Sequence, residues 1–364
     1  MQSYEMYRKN IQAGENAYDV FFGTQYESTV DAMNGLNAEF KDLPYIDLKK
    51  PWWDDGISDI SYGDKVYFAA GDITWTTAGY TTLLLFNKNL FSKNNIPFPY
   101  EDVKAGKWTY AKFAELIKDL SRDLNGDGKM RPDDDMYSIT GWQYETPYNF
   151  LVALGSDEIS KDLNGYPNIA VFEPKTISAM EKVLNIYKNL GGWISDSDYN
   201  KTFKVFTESR SWFCDLRFIE LYNVREMQDD FGMIPHPKLD ESVPHYTQLV
   251  NSNVVTVTAV PVTNDKLEMT SILLEALAYE GKRLITPEYK EILLKTKLTR
   301  DDESADMFDY IWGHRTYRYA FASYASLFMN LIVKGNDSFV SEYEKFQGKA
   351  ETEIEKIMEI FFSK

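Results

Sequence analysis

The chain has 364 residues, of which 44% are hydrophobic and 26% are charged, a composition typical of a folded globular protein. Its 56 acidic residues outnumber 39 basic ones, and the resulting formal charge of −17 repels phosphate backbones and anionic membrane surfaces, so nucleic acid is not an expected partner. A single core rarely exceeds about 250 to 300 residues, so this length predicts two lobes. The single cysteine, Cys214, excludes an internal disulfide and is expected to be a buried apolar residue.

Short apolar runs near the amino terminus predict β-strands. The run AYDVFFG (17–23) ends in glycine, as buried strands that deliver a loop often do. KVYFAAGD (65–72) and YTTLLLFN (80–87) are predicted to form a strand pair around the loop DITWTTAG. Thr109 is predicted to cap the amino terminus of the next helix. Strands and helices therefore alternate from the start.

The rest of the chain continues this alternation and then becomes helical. A helix is predicted after Pro174, and the β-branched run NVVTVTAVPV (253–262) predicts another strand. From Glu268 onward the pattern is that of helices. The sequence therefore predicts an α/β protein that ends in a helical block.

Several ordered motifs resemble one family of transport proteins. These motifs are YDVFFGT, LPYIDLKKPWW, DKVYFAAGDIT, LLLFNKNLF, GKWTYAKFAELIKDLSRDLNGDGKM, FGMIPHPKLD, AVPVTN, LEALAYEGKRLITPEY and LTRDDESADMFDYI. Together they cover nearly the whole chain and resemble the family 1 extracellular solute-binding proteins of carbohydrate ABC importers, in the subset common in gut Firmicutes.

The resemblance implies a two-lobe, type II periplasmic-binding-protein-like fold, with a hinge and a ligand closed between the lobes. Lobe I would comprise residues 1–86 and 251–300, lobe II residues 87–250, and the C-terminal helices residues 301–364. The implied partners are a carbohydrate ligand and ABC permease subunits, and the protein is expected to be a monomer. The full-length form would be an extracellular lipoprotein; its signal and anchor are absent from this sequence, which is expected to be trimmed.

The stretch DLNGDGKMRPDD (123–134) matches the spacing of an EF-hand calcium loop, with Gly128 at the turn position. Arg131 stands at position 9 and supplies no ligand, and a solvated acidic turn is the alternative interpretation. The similar loop of some oligosaccharide-binding relatives implies a structural calcium ion rather than a substrate site. The predicted ligands are Asp123, Asn125, Asp127, the carbonyl of Lys129, and Asp134.

The aromatic side chains are the predicted ligand contacts, because the apolar faces of sugars pack on flat rings. Trp75 is the first candidate, since it lies in a polar loop between two apolar runs; covering a hydrophobic edge is the alternative. Trp142 and Tyr144 in WQYETPY are further candidates, and Tyr26 at the tip of the first strand is another. Four tryptophans are predicted to be structural, and a fifth, Trp312, is undecided; the structural ones are Trp52, Trp53, Trp108 and Trp193.

Polar contacts are predicted at the run SWFCDLRF (211–218). The family resemblance implies ligand contacts just after this strand, which makes Asp215 and Arg217 candidate partners of sugar hydroxyl groups. An exposed ion pair between them is the alternative. Acidic polysaccharides fit the net charge poorly, although Arg210, Arg217 and Arg315 leave open a local basic patch.

No catalytic motif was identified in the sequence. HExxH, GxSxG, GxGxxG and the phosphate-binding GxxxxGK[ST] are absent, and the three histidines lie far apart in sequence. A glycosidase needs only two carboxylates, so a glycan hydrolase stays open, as does a surface glycan sensor or adhesin that works without a transporter. The favoured prediction is a binding protein with no catalytic residues.

Overall fold

The computed structural model describes residues 2–61, 63–143, 145–157, 159–195, 198–295, 302–318 and 339–362. The helices are α1 Gln2–Gln12, α2 Gln25–Ala32, α3 Thr76–Gly79, α4 Lys88–Lys93, α5 Tyr100–Lys104, α6 Tyr110–Ile117, α7 Thr146–Ala153, α8 Pro174–Lys188, α9 Tyr199–Thr207, α10 Leu221–Val224, α11 Leu267–Glu280, α12 Thr286–Lys295, α13 Asp302–Trp312 and α14 Phe339–Phe362. The strands are β1 Phe21–Thr24, β2 Phe68–Ala69, β3 Thr82–Asn87, β4 Tyr137–Trp142, β5 Ile159–Lys161, β6 Pro167–Ile169, β7 Gly192–Ser195, β8 Ser211–Arg217, β9 Phe231–Ile234, β10 Gln248–Leu249, β11 Thr256–Ala259 and β12 Arg315–Thr316. None of the helices in these ranges has the length and apolarity needed to span a membrane.

The larger sheet has five strands in the order β7-β4-β8-β3-β9. β4 runs parallel to β7 and β8, whereas β3 runs antiparallel to both β8 and β9. Every residue of β3 and of β8 is buried, because helices and loops cover both faces of the sheet. Cys214 lies within β8 and is fully buried, as predicted.

The smaller sheet has three antiparallel strands in the order β1-β11-β2. Its strands come from the amino-terminal part of the chain and from the segment after residue 255. Two short pairs complete the strands of the described residues: β5 with β6 as an antiparallel hairpin, and β10 with β12 in parallel. The chain therefore builds one sheet from its middle and the other from segments on either side.

The predicted strand pair around DITWTTAG is wrong. β2 pairs with β11 in the three-stranded sheet, and β3 pairs with β8 and β9 in the five-stranded sheet. The physical reason lies in β3, whose run TLLLFN is apolar on both faces and therefore needs a central position with neighbours on each side. The chain thus passes from one sheet to the other between β2 and β3, through α3 and Tyr80.

The return passage lies beside the first one. Thr81 forms an antiparallel bridge with Val250, and the Asn251 amide donates to the Tyr80 carbonyl at 3.1 Å. We call residues 80–82 the first crossing segment and residues 249–255 the return segment. The predicted lobe boundaries stay a prediction; β3, which begins at Thr82, pairs with β8 and β9 of the five-stranded sheet.

Local predictions on the helices agree with the structure. The side chain of Thr109 caps α6 by accepting from the Lys112 amide at 3.4 Å, and α8 begins at Pro174. After residue 266, the described residues are mostly helical, and α13 packs against β9 of the five-stranded sheet. A π-helical turn at Gly281–Ile285 joins α11 to α12. Residue 281 is glycine because a Cβ atom at this position would lie 1.9 Å from the Asp72 carbonyl oxygen.

The central position of β3 gives the first testable prediction. Leu84 is fully buried and has a neighbour on each side, Asp215 in β8 and Ile234 in β9. We expect Leu84→Ala to lower the free energy of unfolding by about 2–5 kcal/mol, through lost burial and the cavity it leaves. Leu273→Ala, at a half-exposed position on α11, is the matched control and should change it by at most about 0.5 kcal/mol in urea denaturation. Equal losses in the two variants would contradict the central placement of β3.

Candidate ligand-binding site at the crossing segments

A stack of four aromatic rings and one guanidinium group follows the crossing segments. Trp75, at the start of α3, lies 6.5 Å from Tyr80 between ring centroids, with an interplanar angle of 26°. The guanidinium carbon of Arg217 lies 5.5 Å from the Tyr80 ring centroid and 5.7 Å from that of Tyr199. Trp142 meets Tyr199 edge to face at 5.3 Å. We call these five residues the ring stack; its outer members Trp75 and Trp142 are partly exposed.

Arg217 is held within the stack by two carboxylates. Its Nε donates to Glu220 Oε1 at 2.8 Å, and its Nη2 donates to the same carboxylate and to the Tyr199 hydroxyl. Its Nη1 lies 3.3 Å from Glu145 Oε1. Glu220 follows Arg217 by three residues in a 3₁₀ turn, whereas Glu145 lies far away in sequence, just before α7. Two distant parts of the chain therefore contact the same guanidinium group.

Burial changes the protonation of these two carboxyl groups. Loss of solvation, followed by the charge of Glu145, raises the pKa of Glu220 to about 9. Loss of solvation also raises the pKa of Glu145, against the opposing effect of Arg217. Glu220 nevertheless accepts from Arg217 Nε, from its Nη2 and from its backbone amide.

The crossing segments bring further polar groups to the stack. Glu145 accepts a hydrogen bond from the side chain of Asn251 in the return segment. Tyr26 is 40% exposed and lies in the first turn of α2, and its backbone amide donates to the Ser252 carbonyl at 3.1 Å. The return segment thus contacts both Glu145, which follows β4 of the five-stranded sheet, and α2, which follows β1 of the three-stranded sheet.

A pocket opens beside the Trp75 end of the stack. Trp75 is 42% exposed and packs on Tyr289 of α12, with ring centroids 5.7 Å apart. Trp312 forms another wall, packed on Phe308 at 4.9 Å. The remaining lining residues are Pro51, Trp52, Trp53, Asp54, Gly71, Asp72, Thr74, Thr77, Ala78, Lys282, Thr286 and Arg315. Flat rings with a polar rim are the usual surroundings of a bound sugar.

Asp215 does not pair with Arg217, so the alternative of an exposed ion pair is wrong. The two residues are 5% and 8% exposed, and each has other partners. Asp215 Oδ1 lies 2.8 Å from His236 Nε2, and Asp215 Oδ2 accepts from Asn149 at 2.9 Å. The other ring nitrogen of His236 lies 2.7 Å from Gln248 Oε1. Asp215 thus belongs to a buried polar network, whereas Arg217 belongs to the ring stack.

The four tryptophans predicted to be structural each donate a hydrogen bond to, or pack on, another part of the chain. Trp53 and Trp108 are buried, and their indole N–H groups donate to Glu275 and to the Pro235 carbonyl. Trp52 also donates to Glu275, although it and Trp53 border the cavity. Trp193 packs on Tyr137, and Trp312 lines the cavity. Tyr144 lies outside the described residues.

Sequence reasoning missed five residues that the structure adds to the site. Tyr80 and Asn251 lie in the crossing segments, Tyr199 starts α9, and Glu145 and Glu220 neutralise Arg217. Two signals were available: Glu145 lies inside WQYETPY, and Glu220 follows Arg217 at the spacing of one tight turn. Nothing local marks Tyr199 or Asn251, which reach the site only through the fold.

The loop at 123–134 folds on its own backbone. Asp123 accepts from the amides of Gly126 and Gly128, each at 2.7 Å, and both glycines adopt φ +74°. Asp127 Oδ2 is paired with the Arg131 side chain. Asp135 accepts from the Leu124 and Arg131 amides, whereas Asp134 is exposed. In the described part of the chain, no three His, Cys, Asp or Glu side chains converge in a geometry that could hold a metal ion.

The raised pKa of Glu220 gives a prediction about pH. A carboxyl group whose pKa is raised by folding stabilises the fold when protonated, so this contribution is complete below pH 4.5 and is lost as the pH rises towards 9. Between pH 5 and pH 8, the free energy of unfolding should fall less steeply with pH in Glu220→Gln than in wild type, by up to about 1 kcal/mol per pH unit. Glu115→Gln, at an exposed site on α6, is the control for urea unfolding across that range. Parallel curves for the two variants would contradict the assignment.

Comparison with known proteins identifies the family. The profile of a family described as bacterial extracellular solute-binding protein matches residues 3–277. A search of curated proteins found no match. The profile match covers more than half of the chain and is independent of the structural matches.

Solved structures with similar folds cover nearly the whole chain. The maltose/maltodextrin-binding domain MalE from Bdellovibrio bacteriovorus, bound to maltotriose, has a TM-score of 0.60 and 17% identity, covering 97% of this chain and 88% of that one. UgpB from Mycobacterium tuberculosis, in complex with glycerophosphocholine, has a TM-score of 0.65 and 15% identity over 96% and 88%. An ABC substrate-binding protein from Listeria monocytogenes, in complex with cycloalternan, has a TM-score of 0.59 and 12% identity over 98% and 88%.

These matches confirm the predicted fold class, an α/β protein with the two-lobe architecture of periplasmic binding proteins. The ring stack lies beside the segments in which the chain passes between the two sheets. The chain belongs to the bacterial extracellular solute-binding protein family.

Proposed function

We propose that the chain is the substrate-binding component of a carbohydrate ABC importer. It captures a sugar or oligosaccharide between its lobes through the ring stack and the adjoining cavity, and it releases the ligand chemically unchanged. The ring stack carries this proposal, because partly exposed aromatic faces beside charged and amide groups match the two faces of a sugar.

The solved relatives support a small polar ligand. Two of them are described in complex with glycans, maltotriose and cycloalternan, and the third with glycerophosphocholine. These identities are below 25%, so they support the proposal through the shared fold and not through shared contacts. The specific saccharide is left to experiment.

Closure of the lobes is part of the proposal. The crossing segments pair at Thr81 and Val250, so a rotation of one lobe against the other would be absorbed by a few adjacent backbone bonds. Trp75 precedes the first crossing segment and Trp142 ends β4 in the other sheet, so the ring stack has members on both sides of this junction.

The partners follow from this role. We infer that the closed, monomeric protein docks on ABC permease subunits outside the cell. Membrane anchoring through a lipid-modified cysteine, as in the proteins that the sequence resembles, belongs to the same proposal. Permease genes beside this one would favour import over a role as a surface sensor or adhesin.

A thermal-shift screen over a panel of glycans tests the role. A glycan at 100 times its dissociation constant should raise the free energy of unfolding by about 2.7 kcal/mol, and the ligand should be recovered intact. We expect Trp75→Ala to weaken binding about tenfold, equivalent to about 1.4 kcal/mol of lost ring contact.

Trp193→Ala is the matched control for this screen, because Trp193 packs on Tyr137 outside the ring stack. It should leave the affinity unchanged even where it lowers the melting temperature. Release of new reducing ends during incubation would refute binding without catalysis, and equal affinities of the two tryptophan variants would remove Trp75 from the site.

We also propose that the loop at 123–134 binds calcium as a structural ion. The amide contacts of Asp123 and the two left-handed glycines support an EF-hand-like backbone, and oxygen ligands suit calcium. Asp127 is held by Arg131 in the described structure, so the ion would have to displace that arginine. Asp135 lies closer to the loop backbone than Asp134 does and is the better candidate for the closing carboxylate.

Chelation tests the calcium proposal. Millimolar calcium, compared with excess chelator, should raise the melting temperature without changing glycan affinity, because the loop lies apart from the ring stack in the chain. Asp123→Asn should abolish that rise. Asp162→Asn is the matched control, since Asp162 opens a second DLNG turn, in the β5–β6 hairpin. An unchanged melting temperature in wild type, or loss of glycan binding in folded, chelated protein, would contradict the structural role.

A further inference from the structure

The charge of the ring stack bears on the class of sugar that it accepts. Each of the three guanidinium nitrogens of Arg217 has a carboxylate partner: Nε and Nη2 meet Glu220, and Nη1 meets Glu145. The guanidinium carbon also lies 5.5 Å from the ring centroid of Tyr80 and 5.7 Å from that of Tyr199. The arginine is therefore saturated by groups of its own chain.

The cations of the adjoining cavity also have carboxylate partners, although Nε and Nη1 of Arg315 are buried without a hydrogen-bond partner among the described residues. Arg315 donates from Nη2 to Asp54 at 2.7 Å, and its guanidinium carbon lies 4.4 Å from the Trp312 ring centroid. Lys282 lies 3.4 Å from Asp72, which also accepts from Thr286. Each basic side chain that lines the cavity thus has a carboxylate of its own.

Arg210, the third arginine of the basic patch left open by the sequence, is also occupied. It pairs with Glu208, and its Nη1 donates to the carbonyls of Pro132 and Asp135. Among the described residues, the three arginines thus form three separate ion-paired groups and not one cationic surface. At Arg217, an acidic saccharide would have to displace a carboxylate that is already in place.

We infer that the site selects neutral saccharides and rejects acidic ones such as uronates, with Glu145 and Glu220 as the residues that determine this specificity. The inference rests on the proposed function and narrows its ligand class. A ligand carboxylate brought to Arg217 would have to displace Glu145 or Glu220 from the guanidinium that both already contact, and this displacement would oppose binding. A neutral hydroxyl group would not, and Glu145, whose side chain is 18% exposed, is the member of the pair that a hydroxyl group reaches.

Pairs of glycans that differ in charge test this inference on the wild-type protein. Suitable pairs are β-1,4-mannotriose with trimannuronate, methyl-esterified trigalacturonate with the free acid, and xylotetraose with its glucuronate-substituted form. In thermal-shift and tryptophan-fluorescence titrations at fixed ionic strength, we expect the neutral member of at least one pair to bind at least tenfold more tightly than its acidic counterpart.

The outcomes of this comparison separate the two proposals. An acidic member that binds as well as its neutral counterpart, or better, would overturn the neutral-saccharide inference and leave the saccharide-binding role standing. No binding by any glycan of either charge would count against both.

Variants extend the test to named residues. Glu145→Gln keeps the size of the side chain and replaces the carboxyl group that pairs with Arg217 Nη1 by an amide that a ligand carboxylate displaces more easily, so we expect the preference for the neutral member to fall about tenfold. Glu220→Gln should also lower the preference for the neutral member, and it replaces Glu145→Gln in the test if that variant folds poorly. Glu115→Gln removes the same charge from the exposed face of α6 and should leave the preference unchanged. A preference that is the same in all three variants would overturn the assignment.

Discussion

The paired crossing segments are the constraint on which the rest of the structure depends. β3 is buried on both faces and takes a central place in the five-stranded sheet, so the chain must leave the three-stranded sheet just before it. The return segment then runs beside the first, joined at Thr81 and Val250. Residues immediately before and after these segments are forced into proximity whatever their distance in sequence. Trp75, Tyr80 and Asn251 reach the candidate site for this reason.

The parts of the fold that could be predicted from sequence are those set by local patterns. The cap at Thr109, the start of α8 at Pro174 and the burial of Cys214 each depend on a few neighbouring residues. The pairing of β2 and β3 could not be obtained that way, because adjacency in sequence favoured a hairpin. The uninterrupted apolar run TLLLFN was the available signal against it, since a strand at the edge of a half-exposed sheet alternates polar and apolar residues.

The candidate site shows the same limit. Strand alternation correctly put Asp215 and Arg217 on one face of β8, but the partners of each come from elsewhere in the chain: His236 and Asn149 for one, Glu145 and Glu220 for the other. The loop at 123–134 is the reverse case, because its turn geometry is local: Asp123 accepts from amides three and five residues further on. The pairing of Asp127 with Arg131 is also local, four residues apart, and a template of ligand positions alone does not include it.

The group around Arg217 is better explained by position than by stability. Burying a guanidinium with two carboxylates costs solvation of all three, and packed apolar side chains of similar volume are often at least as stable. The charged group instead constrains the orientation of its neighbours. From β8, Arg217 contacts Glu145 before α7, Tyr199 at the start of α9 and Tyr80 in the first crossing segment, and these contacts depend on both distance and angle. An apolar cluster would hold these elements together without orienting them. At a junction that carries the candidate site, the orientation of the rings would decide which faces a ligand meets, and the guanidinium of Arg217 contributes to that orientation.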